Sequence, residues 1–258
     1  MKITILEEGS YSVAADKKFI PFDDERDDPK DRPASIFVHV RPFLVETKKD
    51  LILLDTGLGY LNPEGIPFIN LKIIEKGYRP QDVTKVLMSH LHFDHSGGML
   101  REEEGDLKLN FENADYYIQK QELENAIIDP GKSYNPITLE HLRRSNNLVL
   151  IDGDGKIDNY ISYTLTGAHC KFHQVFLIEE DGEKIFFGGD VLPEGDQLVR
   201  NFIAKYDFDG RAAMQLRKDF GAKAAIEDWT CLFYHSKNKA ACKIENSNGA
   251  FILHEVKK

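Results

Sequence analysis

The chain has 258 residues, 41% of them hydrophobic and 29% charged, with a net charge of -10. That balance suits a folded enzyme with a substantial core and excludes a disordered chain. The acidic charge, with no run of Lys or Arg longer than a pair, argues against a nucleic-acid partner. The first expected element is a strand at residues 2–6 in "MKITILEEGS", whose single Lys and broken apolar run do not make a signal peptide. Residues 19–34, "FIPFDDERDDPKDRPA", are dense in charge and proline and read as a long surface loop, with a lid or a subunit contact as alternatives. Strands follow at 36–46 and 50–54, joined by the polar turn "TKKD" as a hairpin. Residues 66–76 carry a helical pattern with Gly77 as its C-cap. A short apolar strand at 85–89 leads straight into "MSHLHFDHSGG".

Further helices are expected at 119–127 and 136–144, and strands at 148–151, 160–164, 174–178 and 184–187. The last two of these strands are joined by an Asp-Gly turn. A helix over 209–220, capped by Asp209 and stopped by Gly221, precedes strands at 230–234 and 250–256. This order predicts an α/β (α+β) fold, a four-layer αββα sandwich of two mixed β-sheets with helices outside, as one domain over residues 1–258. No segment approaches the roughly 20 apolar residues that a membrane span needs, so no membrane association is expected. Three cysteines (Cys170, Cys231 and Cys242), no C-x-x-C pair and no export signal point to reduced thiols and a cytoplasmic location.

His90, His92, Asp94 and His95 fall within six consecutive positions. On a helix, residues two apart lie on nearly opposite sides, and on a strand His95 would face away from His92 and Asp94. A tight loop is therefore expected to turn all four inward, with Gly97 and Gly98 supplying backbone freedom. These four exceed what a single tetrahedral zinc with an open position uses. Later in the chain His169 in "TGAHCKFH", Asp190 in "FFGGDVLP" and His235 in "CLFYHS" each follow a predicted strand. Seven candidate ligands at four strand ends suit a site for two divalent metal ions about 3.5–4 Å apart. Zinc leads the candidates, with Mn, Fe or Co also compatible with His/Asp ligands.

The run H-x-H-x-D-H, followed by a distant His, a "GGD" Asp and a final His, resembles the metallo-β-lactamase-fold hydrolase superfamily. The resemblance spans the chain from "LLDTG" at residues 53–57 to "FYH" at 233–235. "PFLVETKKDLILLDTG", "FFGGDVLP" and "YDFDGRAAMQLRKDF" are similar to the branch with lactonase-like and organophosphate-hydrolysing members. The resemblance implies that His90, His92 and His169 hold one metal, that Asp94, His95 and His235 hold the second, and that Asp190 bridges them. It implies a hydrolase that cleaves an ester, lactone or phosphoester bond with a metal-bridging hydroxide, Asp94 serving as proton shuttle. The alternative on the same fold is a mononuclear-iron thiol dioxygenase or oxidoreductase, and a third reading is a non-catalytic sensor. The expected partner is a small-molecule substrate; a homodimer is compatible with the sequence and not required by it.

Several positions depart from family patterns. Relatives often read T-P-G-H-T-P-G-H around the third ligand, where this chain has Gly167-Ala168-His169-Cys170-Lys171-Phe172-His173. Position 190 is Asp where periplasmic zinc lactamases carry Cys, and His92 stands where the oxygen-reducing diiron branch has Glu. Pro193 occupies the place of a Tyr found in acyl-homoserine lactonases, which argues against that lactone. His173 is expected to orient its loop, Asp55 to support the ligands without binding metal, and His39 to be a core or edge residue. Cys170 reads as a small buried side chain. Phe22, Phe68 and Tyr206 are candidates for the substrate pocket, and the loops 19–34, 60–70 and 194–209 are expected to set specificity.

Overall fold

The computed structural model describes residues 1–256. A six-stranded sheet takes the order Lys2–Ile5, Phe43–Glu46, Leu51–Leu54, Lys85–Leu87, Asp115–Gln119, Leu148–Ile151. Its first three strands are antiparallel and the others join in parallel. A seven-stranded sheet runs Gly155–Ile157, Ile161–Leu165, Gln174–Glu180, Glu183–Phe187, Thr230–Leu232, Ala241–Ser247, Ala250–Glu255. It is antiparallel except where Glu183–Phe187 meets Thr230–Leu232. Both large sheets are therefore mixed, as expected. A three-stranded sheet and a two-stranded hairpin accompany them.

Alternation along the strands sorts the core into three layers of contact. Phe43, Val45, Ile52 and Leu54 face Ile161, Phe176, Ile178, Phe187 and Leu232 across the space between the sheets. The intervening Leu44 and Leu53, with Val86, Tyr116 and Ile118, pack under Ile69, Ile73, Leu123, Ala126, Leu139 and Leu142 of the helices Phe68–Glu75, Lys120–Ile128 and Pro136–Arg143. On the far side Phe186, Cys231 and Cys242 meet Ala213, Phe220 and Ala224 of the helix Gly210–Glu227. Strands covered on both faces explain the unbroken apolar runs "LILL" and "IFF". The arrangement is the four-layer αββα sandwich. Phe176, fully buried between the sheets, illustrates its strength, since truncating such a side chain to Ala costs about 3–5 kcal/mol.

Several elements differ from the sequence reading. Residues 36–46 form two strands, because Pro42 lacks an N–H and fixes φ, so the ladder cannot run through it. Ile36–Val40 instead joins Gly9–Val13 and Phe19–Pro21 in the three-stranded sheet. The segment 19–34 is thus part strand, with a 3-10 turn at Pro29–Asp31 capped by Asp28. Gly221 does not stop the last helix, which runs from Gly210 to Glu227 and ends at left-handed Asp228. Glycine is needed at 221 for contact: a Cβ there would lie 2.6 Å from Leu198 Cδ1 and 3.0 Å from Phe251 Cζ. The hairpin Leu100–Glu103 with Asp106–Leu109 and the strand Ala241–Ser247 have no clear apolar period in the sequence.

Candidate metal centre

The strand Lys85–Leu87 leads through Met88 to Ser89, whose N–H donates to Asp55 Oδ1 at 2.7 Å. His92 then opens a four-residue helix, Phe93–Ser96, which carries Asp94 and His95. The cluster is therefore half loop and half helical turn. The two glycines that follow serve a different purpose from the one expected. Gly97 has an ordinary φ of -61, but a Cβ on it would lie 2.1 Å from Leu58 O, and one on Gly98 2.0 Å from Thr56 O. The turn lies against the segment after "LLD", and Thr56 fastens it by donating both N–H (2.7 Å) and Oγ1–H (2.9 Å) to His95 O.

All seven predicted ligands converge at one edge of the sandwich. Ligand atoms of His90, His92 and His169 lie within 4.8 Å of one another, as do those of Asp94, His95 and His235, and those of His90, His95 and Asp190. His92 Nδ1 is 3.1 Å from His169 Nε2. Asp190 reaches both sides: Oδ1 is 3.2 Å from His95 Nε2 and 3.1 Å from His235 Nε2, and Oδ2 is 3.3 Å from His169 Nε2. Asp94 Oδ2 lies 3.4 Å from His235 Nε2 and 3.6 Å from His95 Nε2.

The outward nitrogens are fixed by acceptors, which sets the tautomers. His95 Nδ1–H donates to Asp55 Oδ2 at 2.7 Å, and His235 Nδ1–H donates to His39 O at 2.6 Å. His169 Nδ1–H donates to Asp207 Oδ1 at 3.0 Å. Ser89 Oγ donates to Asp55 Oδ2 (2.6 Å) and so accepts from His90 Nδ1 at 3.1 Å. In the neutral form of these four rings the Nε2 lone pair faces the centre.

The residues fit divalent cations. His90 Nε2, His95 Nε2 and Asp190 Oδ1 are buried without a hydrogen-bond partner, and the last two lie 3.2 Å apart without the alignment of a hydrogen bond. Orphaned buried acceptors of this kind are costly unless something satisfies them. Burial, aided by neighbouring imidazoles, holds His90 and His92 well below the ordinary histidine pKa, in the form that ligates metal. Burial opposes charge on His95 too, but the carboxylates of Asp190, Asp94 and Asp55 outweigh it and raise its pKa. His235 is raised in the same way by Asp190 and Asp94. Burial would likewise raise Asp190, yet the rings of His235, His95 and His169 pull it well below the carboxylate range. Three carboxylates against this ring of imidazoles make a site that calls for positive charge.

His173 belongs to neither group of ligand atoms and orients the loop, as expected. Its Nε2 accepts the Asp190 N–H at 3.0 Å, and its Nδ1 lies 2.9 Å from Thr166 Oγ1. Gly189, at φ +46, must lack a side chain, because a Cβ would lie 2.6 Å from Ser89 Cβ and 2.7 Å from His173 Nε2. Above the centre opens a cavity of about 440 Å³, whose lining includes Phe19, Phe93, Asp94, Tyr134, Tyr206 and Phe208. Tyr206 is there as expected. Phe22 is buried against Phe37 instead (centroids 4.6 Å apart), and Phe68 is not among the lining residues. The loop 60–70 contributes nothing to the lining; Asp129, Lys132 and Ser133 do.

Several supporting residues were not read from the sequence: Glu122, Tyr134, Asp207, Arg217 and Tyr234. Tyr234 stacks on His95 at 4.2 Å and donates its hydroxyl to Asp94 O at 2.8 Å. Arg217, 1% exposed, donates to Val191 O (2.7 Å), Phe202 O (2.8 Å) and Asp207 Oδ2 (3.2 Å). The sequence carried a signal for three of them: Tyr234 stands beside His235, and Asp207 and Arg217 lie within "YDFDGRAAMQLRKDF".

Residues 37–235 match the sequence model of the Metallo-beta-lactamase superfamily. An N-acyl homoserine lactonase, AiiA, from Bacillus thuringiensis subsp. kurstaki is 29% identical over 158 residues, covering 54% of this chain and 58% of the relative. The alignment thus spans little more than half of that relative. Among solved structures, the dizinc quorum-quenching lactonase AidC, in complex with the product N-hexnoyl-L-homoserine, superposes with a TM-score of 0.76 at 21% identity, over 99% of this chain and 94% of that one. A probable metal-dependent hydrolase from Staphylococcus aureus gives 0.74 at 22% identity, over 100% and 98%. At these identities the structural matches show the fold.

Proposed function

The chain belongs to the metallo-β-lactamase superfamily, and from that premise we propose that it is a metal-dependent hydrolase of carboxylic esters, with a lactone as the leading substrate. One observation carries the reading: seven His and Asp side chains from four loops meet in two groups joined by Asp190. His90, His92 and His169 would hold one ion, and Asp94, His95 and His235 the other, with Asp190 between them. Divalent cations bound there, zinc first among them, supply Lewis acidity, which acidifies water and polarises a scissile carbonyl. A mononuclear oxygenase would need only one such group, so two groups favour hydrolysis.

The chain's own residues supply the remaining chemistry. Asp94 lines the cavity, where its carboxylate can take a proton from the attacking water and return it to the departing alkoxide. Tyr206 also lines it; burial pushes its phenol up to about 12, so it stays a neutral donor for the developing oxyanion. Val13, Phe19, Ile36, Val38 and Phe93 form an apolar wall suited to an acyl chain, which favours a carbon ester over a phosphoester. The described helices include none long and apolar enough to cross a membrane. The three cysteines are free and buried, which supports our reading of a cytoplasmic enzyme. The test is a pH-stat assay of zinc-loaded protein on paired acyl lactones, linear esters and phosphotriesters. Hydrolysis of the first two, lost in His92→Ala and Asp190→Ala, is expected; turnover that survives in both variants refutes the mechanism.

A further inference from the structure

Glu122 belongs to neither group of ligand atoms. It sits in the first turn of the helix Lys120–Ile128, 1% exposed, on the face that packs Leu123 and Ala126 into the core. A carboxyl group in that position needs polar partners to offset its burial, and its partners all lead to the same three histidines. Oε1 accepts the N–H of Leu91 at 3.1 Å, and Leu91 is the residue between His90 and His92. Oε1 also accepts the Tyr134 hydroxyl at 3.0 Å. The Tyr134 ring packs edge-on against His92, with centroids 5.0 Å apart. Cys170 Sγ lies 3.5 Å from both carboxyl oxygens, and Cys170 follows His169 in the chain.

We propose that Glu122 is a positioning residue that holds His90, His92 and His169 as one unit, and that it sets the metal affinity of that group alone. The proposal rests on the reading of this group as a metal site. The other group has different direct supports: Asp55 on His95, the His39 carbonyl on His235 and the Tyr234 hydroxyl on the Asp94 carbonyl, Asp55 reaching His90 only through the Ser89 hydroxyl. None of these touches Glu122. The two halves of the centre are therefore expected to respond separately.

The test measures bound zinc by elemental analysis and by competition with a chromophoric chelator, using the full chain. Wild type is expected to bind two ions. Glu122→Ala deprives the Leu91 N–H and the Tyr134 hydroxyl of their acceptor, and is expected to weaken one ion by about 10–100-fold while the other is unchanged. Glu122→Gln keeps an acceptor oxygen and is expected to stay close to wild type. Leu139→Ala, which loosens the same core cluster while leaving every hydrogen-bond partner of Glu122 in place, is expected to retain both ions. In cobalt-substituted protein, Glu122→Ala should alter the visible bands of one ion only. If alanine prevents folding, Tyr134→Phe removes one of the donors and is expected to weaken the same ion. Unchanged affinity for both ions, or equal weakening of both in Glu122→Ala and Leu139→Ala alike, overturns the role of Glu122. A wild-type chain that binds no metal overturns the reading of the centre itself.

Discussion

Asp207→Ala is expected to be among the most damaging substitutions outside the ligands, and its cost can be worked from the structure. The Asp207 side chain is inaccessible to solvent and meets His169 Nδ1 at 3.0 Å and Arg217 Nη2 at 3.2 Å. Arg217 is itself 1% exposed, so alanine at 207 leaves a buried guanidinium without its counter-charge. Breaking one side of a buried ion pair costs about 3–5 kcal/mol. At about 2–4 °C per kcal/mol for a chain of this size, the loss in Tm is roughly 6–20 °C. The double variant Asp207→Ala/Arg217→Leu removes both charges and is expected to be less destabilised than the sum of its singles, by about 0.5–3 kcal/mol. Urea unfolding followed by the fluorescence of Trp229, the single tryptophan, reads all three variants. An Asp207→Ala protein within about 1 kcal/mol of wild type, below the expected cost of a broken buried pair, would show that the pair does not hold this loop.

Other substitutions test separate parts of the molecule. Gly189→Ala forces a side chain into a left-handed position, worth about 1–2 kcal/mol, and against Ser89 and His173; it is expected to lower both Tm and zinc affinity, and an unchanged melt contradicts the packing described. Burial raises the Glu8 carboxyl from 4.5 to about 8, so the folded chain keeps a proton that the unfolded chain releases. Its stabilising effect is complete below the unfolded pKa and is lost as pH rises through the folded one. Glu8→Gln should therefore gain on wild type, by up to about 1.4 kcal/mol per pH unit, between pH 4.5 and about 8; parallel urea midpoints across that window contradict it. Tyr206→Phe should cut kcat by about 100–1,000-fold if its hydroxyl meets the oxyanion, and unaltered lactone turnover removes Tyr206 from the chemistry. Phe19→Ala should lower kcat/KM for long acyl chains and spare short ones, a difference absent if the apolar wall does not bind substrate.

The ligands were legible because His and Asp crowded beside glycine at strand ends serve a fold in few ways apart from metal binding, and folding does bring them together. Asp55 and His173 were legible for a related reason, being polar residues in the same loops. The burial of Glu122 and Arg217 was not. In "KQELEN" and "QLRKDF" they stand among charged neighbours that point to solvent, and only tertiary contact distinguishes a buried charge from an exposed one. Gly97, Gly98 and Gly221 stand out in the sequence for their backbone freedom, yet close approach of other chain segments is what requires them. The cavity wall was missed because it depends on the small sheet that begins where Pro42 breaks residues 36–46 in two, a break that single-strand patterning passes over.

The most direct measurement is anomalous diffraction at the zinc edge from crystals of zinc-loaded protein. Two peaks about 3.5–4 Å apart are expected, one against His90, His92 and His169, the other against Asp94, His95 and His235, with Asp190 touching both. No peak within reach of His90, or a lone peak elsewhere on the surface, would contradict a two-metal centre and the hydrolysis assigned to it.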